Sequence, residues 1–307
     1  MVSFTNRSIV SIRDMSQDDL TKVVDTTELV KRGELSGFLN GKTVATLFFE
    51  PSTRTRLSFE SAVFKSGGSV FGIANPKASS QSKGESFADS IRTVSGYCDV
   101  MVIRHPVEGA ARMASELSGT PVINAGDGAN QHPTQTFLDL FTIKESIGRL
   151  DNLKIGMMGD LKYGRTVHSL TDALAMFNNE LTFISPPSLQ MPGHILKELD
   201  DADISYRIIS DLEEAGECNL DILYVTRIQK ERFGDPQEYA KVAGVYRITQ
   251  NTINMLGKDV RVMHPLPRVD EIAEEVDSMP NAIYFTQAHN GIPTRQALLG
   301  LVTGGLN

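Results

Sequence analysis

The chain has 307 residues, with 30 lysines and arginines against 38 aspartates and glutamates, so its formal net charge at pH 7 is −8. This charge argues against a protein that binds a nucleic-acid polymer or a membrane surface, and no apolar run approaches the ~18 residues of a membrane span. The N-terminal segment lacks a signal peptide's apolar stretch, and Cys98 and Cys218 support neither a disulfide framework nor a zinc site. We therefore expect a two-domain cytoplasmic protein, which binds anionic substrates only if basic residues are concentrated in one place.

Short apolar runs alternate with longer segments of helical spacing along the whole chain. The runs predict strands at residues 43–49, 69–73, 100–103, 122–125, 153–158, 181–184, 204–209, 222–225, 261–263 and 282–285. Strands and helices in strict turn imply right-handed crossovers and parallel sheets covered on both faces. The sequence therefore predicts the α/β class, with two doubly wound parallel-sheet domains in series.

A helix predicted at 134–145, followed by the polar segment 148–152, marks the boundary between the domains. The last helix is predicted at 294–301, after a Gly-Ile-Pro turn. We place the first domain at 1–133, completed by the C-terminal helical segment 288–307, and the second at 134–287. Ligands of open α/β sheets bind beyond the carboxyl ends of strands, so the chemistry is expected in those loops.

The first predicted strand continues into the segment Glu50-Pro-Ser-Thr-Arg-Thr-Arg56. Pro51 ends the strand, and Ser52 or Thr53 can cap the following helix, whose N-terminus offers unpaired N–H groups. Ser52, Thr53 and Thr55 add hydroxyl donors, while Arg54 adds a planar fork suited to phosphate oxygens. The alternative is an ordinary capped helix with surface arginines. Three hydroxyls and two arginines at the end of a strand favour a phosphate site.

Two other glycine-containing segments resemble phosphate motifs but do not match them. Residues 37–43 are one residue short of a P-loop and precede a strand, where a P-loop would follow one. The turn Gly126-Asp-Gly128 lacks the third small residue of a dinucleotide fingerprint. A nucleotide or nicotinamide cofactor is therefore disfavoured.

Further polar residues follow other predicted strands. Arg104 ends one strand, while His132 and Gln135 lie three residues apart at the start of a helix and so share one face. A lone histidine is more often structural than catalytic. At a helix N-terminus, however, the dipole disfavours the charged imidazole, and the neutral form can donate a hydrogen bond to a developing oxyanion.

In the second half, Arg165 follows one strand, and Arg227 with Gln229 follows another. Two arginines and a glutamine on separate loops can hold a dicarboxylate, although each arginine alone is more often a surface residue or part of an ion pair. Pro265 and Leu266 lie in a rigid Pro-Leu-Pro loop that can present carbonyl acceptors to an amine.

A long polar loop spans residues 75–85. Composition alone favours a mobile surface loop. The alternative is a hinged loop on which Lys83, beside Gly84, reaches a phosphate as a cation.

Six motifs occur together over nearly the whole chain: EPSTRTRLSFESA, RHPVEGAAR, NAGDGANQHPTQTFLDL, GDLKYGRTVHSL, TRIQKERF and HPLPRVDEIA. In this order and spacing they resemble the catalytic chains of the aspartate carbamoyltransferase family. STRTR and HPTQ alone mark only the wider transcarbamoylases, including ornithine carbamoyltransferase. That relative has a cysteine within an HCLP segment where this chain has Pro265, and Arg227 with Gln229 suits an acidic substrate.

The resemblance implies a transcarbamoylase-like fold, with the carbamoyl-phosphate-binding domain first and the aspartate-binding domain second. It implies transfer of the carbamoyl group of carbamoyl phosphate to the amine of L-aspartate, giving N-carbamoyl-L-aspartate and phosphate in de novo pyrimidine biosynthesis, without cofactor or metal. The catalytic residues that it implies are Arg54, Thr55, Lys83, Arg104, His132 and Gln135.

The same resemblance implies a role for each motif residue. Ser52, Thr53, Arg54 and Thr55 hold the phosphate, and Arg104 bridges the phosphate and the carbonyl oxygen, which His132 and Thr55 polarise. Gln135 and the backbone carbonyls of Pro265 and Leu266 orient the carbamoyl amide and the incoming amine. Arg165, Arg227 and Gln229 bind the two carboxylates of aspartate.

In the family, the polar loop enters the active site of a neighbouring subunit, which implies a homotrimer with shared sites. Ser79 then binds carbamoyl phosphate in trans and Lys83 contacts both substrates, while Glu50 pairs with Arg165 and Arg232 across the domain gap. Some members also bind a separate zinc-containing regulatory chain.

Two alternative hypotheses for the function are a carbamoyltransferase for another amine and a non-enzymatic homologue.

Overall fold

Two parallel β-sheets organise the chain in a computed structural model, which describes residues 3–73, 83–228, 235–242 and 244–306. The chain divides into two units. The first contains Met1–Phe141 together with Asn290–Asn307, and the second contains Thr142–His289. Each unit holds one of the sheets. These units are defined by their internal packing alone. The predicted domain boundaries at 133 and 287, and the substrate that each domain binds, therefore stay predictions.

The first unit contains a four-stranded sheet in the order β2-β1-β3-β4. Its elements are α1 (Gln17–Lys31), β1 (Thr43–Phe48), α2 (Thr53–Lys65), β2 (Ser69–Ile73), α3 (Phe87–Ser95), β3 (Val100–His105), α4 (Ala110–Leu117), β4 (Val122–Asp127) and the first part of α5 (Pro133–Ile147). Strand β1 pairs Thr43 with Ser69 of β2 and Val44 with Val100 of β3. The strand order therefore reverses between β1 and β3, which is where open α/β sheets bind ligands.

Both faces of this sheet are covered at its central strand β1, whereas the edge strand β2 is partly exposed. Ala45, Leu47 and Phe49 alternate along the chain and pack on one face with Ile91 of α3 and Ala114 of α4. The residues that alternate with them, Val44, Thr46 and Phe48, are also buried. Burial on both faces explains why the strands read as near-continuous apolar runs.

The second unit contains a five-stranded sheet in the order β7-β6-β5-β8-β9. Its elements are β5 (Lys154–Met158), α6 (Arg165–Ala175), β6 (Glu180–Ile184), α7 (Gly193–Asp201), β7 (Tyr206–Ile209), α8 (Leu212–Ala215), β8 (Ile222–Val225), α9 (Pro236–Val242), α10 (Gln250–Leu256), β9 (Arg261–Met263) and the start of α11 (Tyr284–Val302). Lys154 of β5 pairs with Glu180 of β6, and Ile155 pairs with Ile222 of β8. The order therefore reverses between β5 and β8.

The predicted α/β class with two doubly wound parallel sheets is confirmed. Nine of the predicted strands correspond to β1–β9, but the strand predicted at 282–285 is wrong. Only Ala282 forms an isolated bridge, with Val262, and α11 begins at Tyr284. The segment is apolar but only partly buried, and periodicity alone cannot separate so short an apolar run from a helix start.

The last helix is also longer than predicted, because α11 runs through the Gly291-Ile-Pro293 segment that the sequence indicated as a turn. A glycine fits inside this helix for a steric reason: a Cβ at Gly291 would lie 2.2 Å from Nη1 of Arg295. None of the described helices is both long enough and apolar enough to cross a membrane.

Candidate active site

The N-terminus of α2 forms the first part of the candidate site, directly after β1. Ser52 occupies the N-cap position in extended backbone, but its side chain makes no capping hydrogen bond, and the first turn has no acidic residue. Thr55 is buried, while Thr53 and Arg54 are exposed. The positive end of the helix dipole is therefore left to attract an anion from outside the helix.

Arg104 lies at the end of β3, the strand beside β1. Its Nε is 3.2 Å from a Glu50 carboxylate oxygen, and its Nη1 donates to the Ala125 carbonyl at 3.3 Å. Burial lowers the pKa of Arg104, the negative charge of Glu50 opposes this, and the positive charge of Arg54 lowers it further. The positive charges of Arg54 and Arg104 repel each other, so an anion bound between them would be stabilised by both.

The loop between β4 and α5 is built around the buried carboxylate of Asp127. This carboxylate accepts hydrogen bonds from the backbone N–H groups of Gly109 and Gln131 and from the side-chain amides of Asn124 and Asn130. The loop delivers His132, which is 5% exposed, to the start of α5. Sequence reasoning missed this role of Asp127; an aspartate between two glycines after an apolar strand is the signal for such a turn.

Gln135 lies on the first turns of α5, and its side-chain amide is anchored at one end. Nε2 donates to Oδ1 of Asp139 at 2.9 Å. The amide oxygen is the opposite end of the same planar group, so the amide keeps an acceptor to offer to a ligand.

In the second unit, Arg165 and Arg227 follow neighbouring strands. Arg165 is the first residue of α6, after β5, and Arg227 lies two residues beyond β8. Met158 and Val225, the last residues of these strands, are register partners, so both arginines belong to the same edge of the sheet at its switch point. This placement agrees with the sequence expectation of cations on separate loops.

The loop after β9 holds Pro265 and Leu266 in a fixed conformation. Leu266 has a positive φ of 56°, and its N–H donates to Nδ1 of His264 at 2.8 Å. Because Nδ1 accepts, the histidine proton lies on Nε2, which is 2.7 Å from the Glu271 carboxylate. Burial is the largest single influence and raises the pKa of Glu271, but the hydrogen bond from His264 and the backbone hydrogen bonds together outweigh it, and the pKa lies below its usual value.

The strand ends thus bring Ser52, Thr53, Arg54, Thr55, Arg104, His132 and Gln135 to one edge of the first sheet, and Arg165, Arg227, Pro265 and Leu266 to one edge of the second. Lys83 is exposed in a short turn before α3. Ser79, Gln229 and Arg232 lie outside the described residues. Within the described ranges, no cluster of histidine, cysteine, aspartate and glutamate is arranged to hold a metal ion.

Comparisons with known proteins give this geometry a family. Residues 7–145 match the model of the aspartate/ornithine carbamoyltransferase carbamoyl-P binding domain, and residues 151–302 match that of the Asp/Orn binding domain. The aspartate carbamoyltransferase catalytic subunit of Thermococcus onnurineus is 54% identical over 310 residues, covering 99% of each chain.

Solved structures agree with this match. The catalytic subunit of M. jannaschii aspartate transcarbamoylase superposes with a TM-score of 0.88 at 50% identity, covering 96% of this chain and 97% of that one. Aspartate transcarbamoylase from Trypanosoma cruzi, solved with carbamoyl phosphate and aspartate, has a TM-score of 0.91 at 37% identity, covering 97% of both chains.

The two sheets, each with cationic residues at its switch point, define a two-domain transferase of the transcarbamoylase class. Its relatives specify the substrate branch as well as the class. The chain belongs to the aspartate carbamoyltransferase family, as a catalytic chain.

Proposed function

We propose that this chain transfers the carbamoyl group of carbamoyl phosphate to the amine of L-aspartate, forming N-carbamoyl-L-aspartate and phosphate in de novo pyrimidine biosynthesis. The observation that carries the proposal is the anion-attracting helix terminus and Arg104 at the switch point of the first sheet; the second sheet, by itself, has two arginines on neighbouring strand ends. The complex of the Trypanosoma cruzi relative with both substrates supports it.

The first unit binds carbamoyl phosphate. The N–H groups and hydroxyls of Ser52, Thr53 and Thr55, with Arg54, hold the phosphate, and Arg104 bridges a phosphate oxygen and the carbonyl oxygen. Positive charge placed before the reaction lowers the free energy of the transition state, because negative charge develops on both groups.

The carbamoyl group is oriented from two sides. His132 and Thr55 donate to its carbonyl oxygen, which makes the carbon a better electrophile. The Gln135 amide oxygen and the backbone carbonyls of Pro265 and Leu266 accept from the carbamoyl NH₂ and the incoming amine. The fixed conformation of Leu266 supports this role, because acceptors that are already in place need no reorganisation on binding.

The second unit binds aspartate. Arg165 and Arg227, with Gln229, pair with its two carboxylates, since a guanidinium fork matches a carboxylate in two parallel hydrogen bonds. The amine lone pair attacks the carbamoyl carbon, the bond from that carbon to the phosphate oxygen breaks, and the phosphate leaves with the electron pair. The departing phosphate accepts the amine proton.

The working enzyme in this proposal is a cytoplasmic homotrimer in which Ser79 and Lys83 of one subunit enter the site of its neighbour. The exposure of Lys83 is compatible with such sharing. The half-buried Cys98 and Cys218 form no disulfide, as is usual in reducing compartments. The mass of the native complex from source cells tests whether a separate regulatory chain joins the trimer.

A direct assay with purified protein tests the proposed reaction. We expect N-carbamoyl-aspartate and stoichiometric phosphate from carbamoyl phosphate and aspartate, and no comparable reaction with ornithine. Carbamoylation of ornithine but not aspartate would favour the rival transferase. A folded trimer without turnover on either amine would favour a non-enzymatic role.

A further inference from the structure

A buried charged cluster lies behind Gln135, outside the residues assigned to the substrates. Asp139 of α5 is fully buried, and Arg295 of α11 is 4% exposed. Nη1 of Arg295 donates to Oγ of Ser58 at 3.1 Å, and its guanidinium carbon lies 5.1 Å from the centroid of the Phe59 ring. Arg295 thus packs against α2, the helix that begins with the phosphate-binding residues, and places its charge near α5.

The charge of Asp139 acts on the buried Arg295. Burial lowers the pKa of Arg295 to about 10, while the negative charge of Asp139 acts in the opposite direction. The guanidinium therefore remains cationic at neutral pH, and Asp139 has a buried countercharge. Removing one member of such a pair leaves the other as an uncompensated buried charge or drives it to neutrality.

The charge of Asp139 decides which end of the Gln135 amide faces outward. A carboxylate only accepts hydrogen bonds, so Nε2 of Gln135 turns toward it, at 2.9 Å, and Oε1 is left at the other end. The two ends of a glutamine amide have nearly the same shape, and only their hydrogen-bond partners select an orientation. Without a carboxylate at position 139, nothing fixes the orientation of the Gln135 amide.

We propose that Asp139, paired with buried Arg295, is a positioning residue that holds Gln135 with its amide oxygen toward the substrate and so selects a carbamoyl group over an acetyl group. This inference rests on the proposed function, in which Gln135 receives the carbamoyl NH₂. Acetyl phosphate carries a methyl group in place of that NH₂ and cannot donate. The preference for carbamoyl phosphate over acetyl phosphate therefore reports the orientation of Gln135.

The test compares both ligands in the full-length enzyme carrying Asp139→Asn. The new side-chain amide turns its oxygen toward the Arg295 charge and its NH₂ toward Gln135, which reverses the glutamine. We expect the affinity for carbamoyl phosphate to fall about tenfold, because an N–H group then opposes the carbamoyl N–H groups. Affinities for acetyl phosphate and inorganic phosphate, measured by competition, stay within about twofold, because neither ligand donates to Gln135.

A double-mutant cycle separates positioning from general structural damage. In a Gln135→Ala background, Asp139→Asn is expected to leave the ratio of the two affinities unchanged. Equal weakening of all three ligands, an unchanged ratio in the wild-type background, or a changed ratio in the Gln135→Ala background would each overturn the proposal.

Variants of Arg295 give a second route if Asp139→Asn does not fold. Arg295→Met removes the countercharge of the Asp139 carboxylate, which favours the protonated carboxyl. A protonated carboxyl can donate to Gln135, so the preference for carbamoyl phosphate over acetyl phosphate is expected to weaken. Arg295→Lys keeps the positive charge and is expected to keep this preference. Ser58→Ala is the matched control, because it removes only one hydrogen bond of Arg295. Loss of selection in Arg295→Lys or Ser58→Ala to the same extent as in Arg295→Met would contradict the proposal.

The wild-type enzyme distinguishes failure of this inference from failure of the proposed function. If wild-type protein forms no N-carbamoyl-aspartate, the function is wrong. If it forms the product but Asp139→Asn keeps full selectivity, only the positioning role is wrong.

Discussion

Side chains at the strand ends differ in what they do even when they are neighbours in one motif. Arg54 and Arg56 stand two residues apart on α2. Arg54 is largely exposed, yet the partial burial of its guanidinium lowers its pKa, and its positive charge lowers the pKa of Arg104. Nη1 of Arg56, in contrast, lies 3.4 Å from Oε1 of Glu60 one helical turn away. Both arginines belong to the motif that predicts a phosphate site. Only the contacts of the folded chain separate Arg54, the candidate phosphate ligand, from Arg56, which pairs with Glu60.

This difference predicts unequal effects of two matched substitutions. Arg54→Ala is expected to lower kcat about 10²- to 10³-fold, because it removes a preorganised charge from the developing phosphate. Arg56→Ala is the control and is expected to change kcat by less than about twofold, because Arg56 pairs with Glu60 within its own helix and is not assigned to the substrate. Steady-state assays of both variants test this. Equal losses of kcat in the two variants would contradict the assignment of Arg54, and not Arg56, to the phosphate.

The His264–Glu271 pair predicts a dependence of stability on pH. The pKa of Glu271 is lower in the folded protein than its ordinary value of 4.5. Stability from the ionised carboxylate is therefore fully present above that value, and it is lost as pH falls through the folded pKa. We expect the denaturation midpoint of wild type to fall more steeply than that of Glu271→Gln below pH 4.5. Parallel curves for the two proteins would contradict this.

At the scale of elements, the turns after the strands place the functional residues. Gly159 follows β5 with a φ of 114°, and a Cβ there would lie 2.2 Å from the carbonyl oxygen of Thr226. Thr226 follows β8, and its hydroxyl accepts from the N–H of Asp160 at 3.1 Å. The glycine thus lets the loops that lead to Arg165 and Arg227 approach each other.

Gly159→Ala is expected to destabilise the enzyme by roughly 3 kcal/mol, from left-handed backbone strain and the clash with Thr226. It should also raise the KM for aspartate, because Arg165 follows the displaced loop. Gly193→Ala at the start of α7 is the control, since nothing lies within 4 Å of its Cβ position. Thermal unfolding and aspartate saturation curves check both effects; comparable behaviour of the two variants would refute the role of Gly159.

At the scale of the whole molecule, a net charge of −8 coexists with a site for anions. The charge describes the sum over the chain. Each sheet instead gathers arginines at its switch point, Arg54 and Arg104 in one and Arg165 and Arg227 in the other. Local geometry therefore outweighs the global charge for small anionic substrates.

Shared sites in the proposed trimer predict complementation between inactive chains. Mixing Arg54→Ala with Lys83→Ala subunits should restore up to about a quarter of the sites, because one interface in four then combines an intact Arg54 with an intact partner Lys83. Arg54→Ala mixed with His132→Ala is the control and should recover nothing, since both residues belong to the same half of each site. Activity after proven subunit exchange is the measurement, and no recovery in the first mixture would count against sharing.

The sequence by itself determined the α/β class, the nine strands and the residues at their ends, because alternating apolar runs and turn residues act over a few neighbouring positions. It did not separate the short apolar segment at 282–285 from a helix start. The hydrogen bond from Gln135 to Asp139 joins residues four positions apart on one helix, a spacing that the sequence shows. Only the tertiary structure decided that Arg295 supplies the countercharge of Asp139. Arg295 comes from a helix more than a hundred positions away along the chain, and no local pattern encodes the meeting of such distant residues in one buried space.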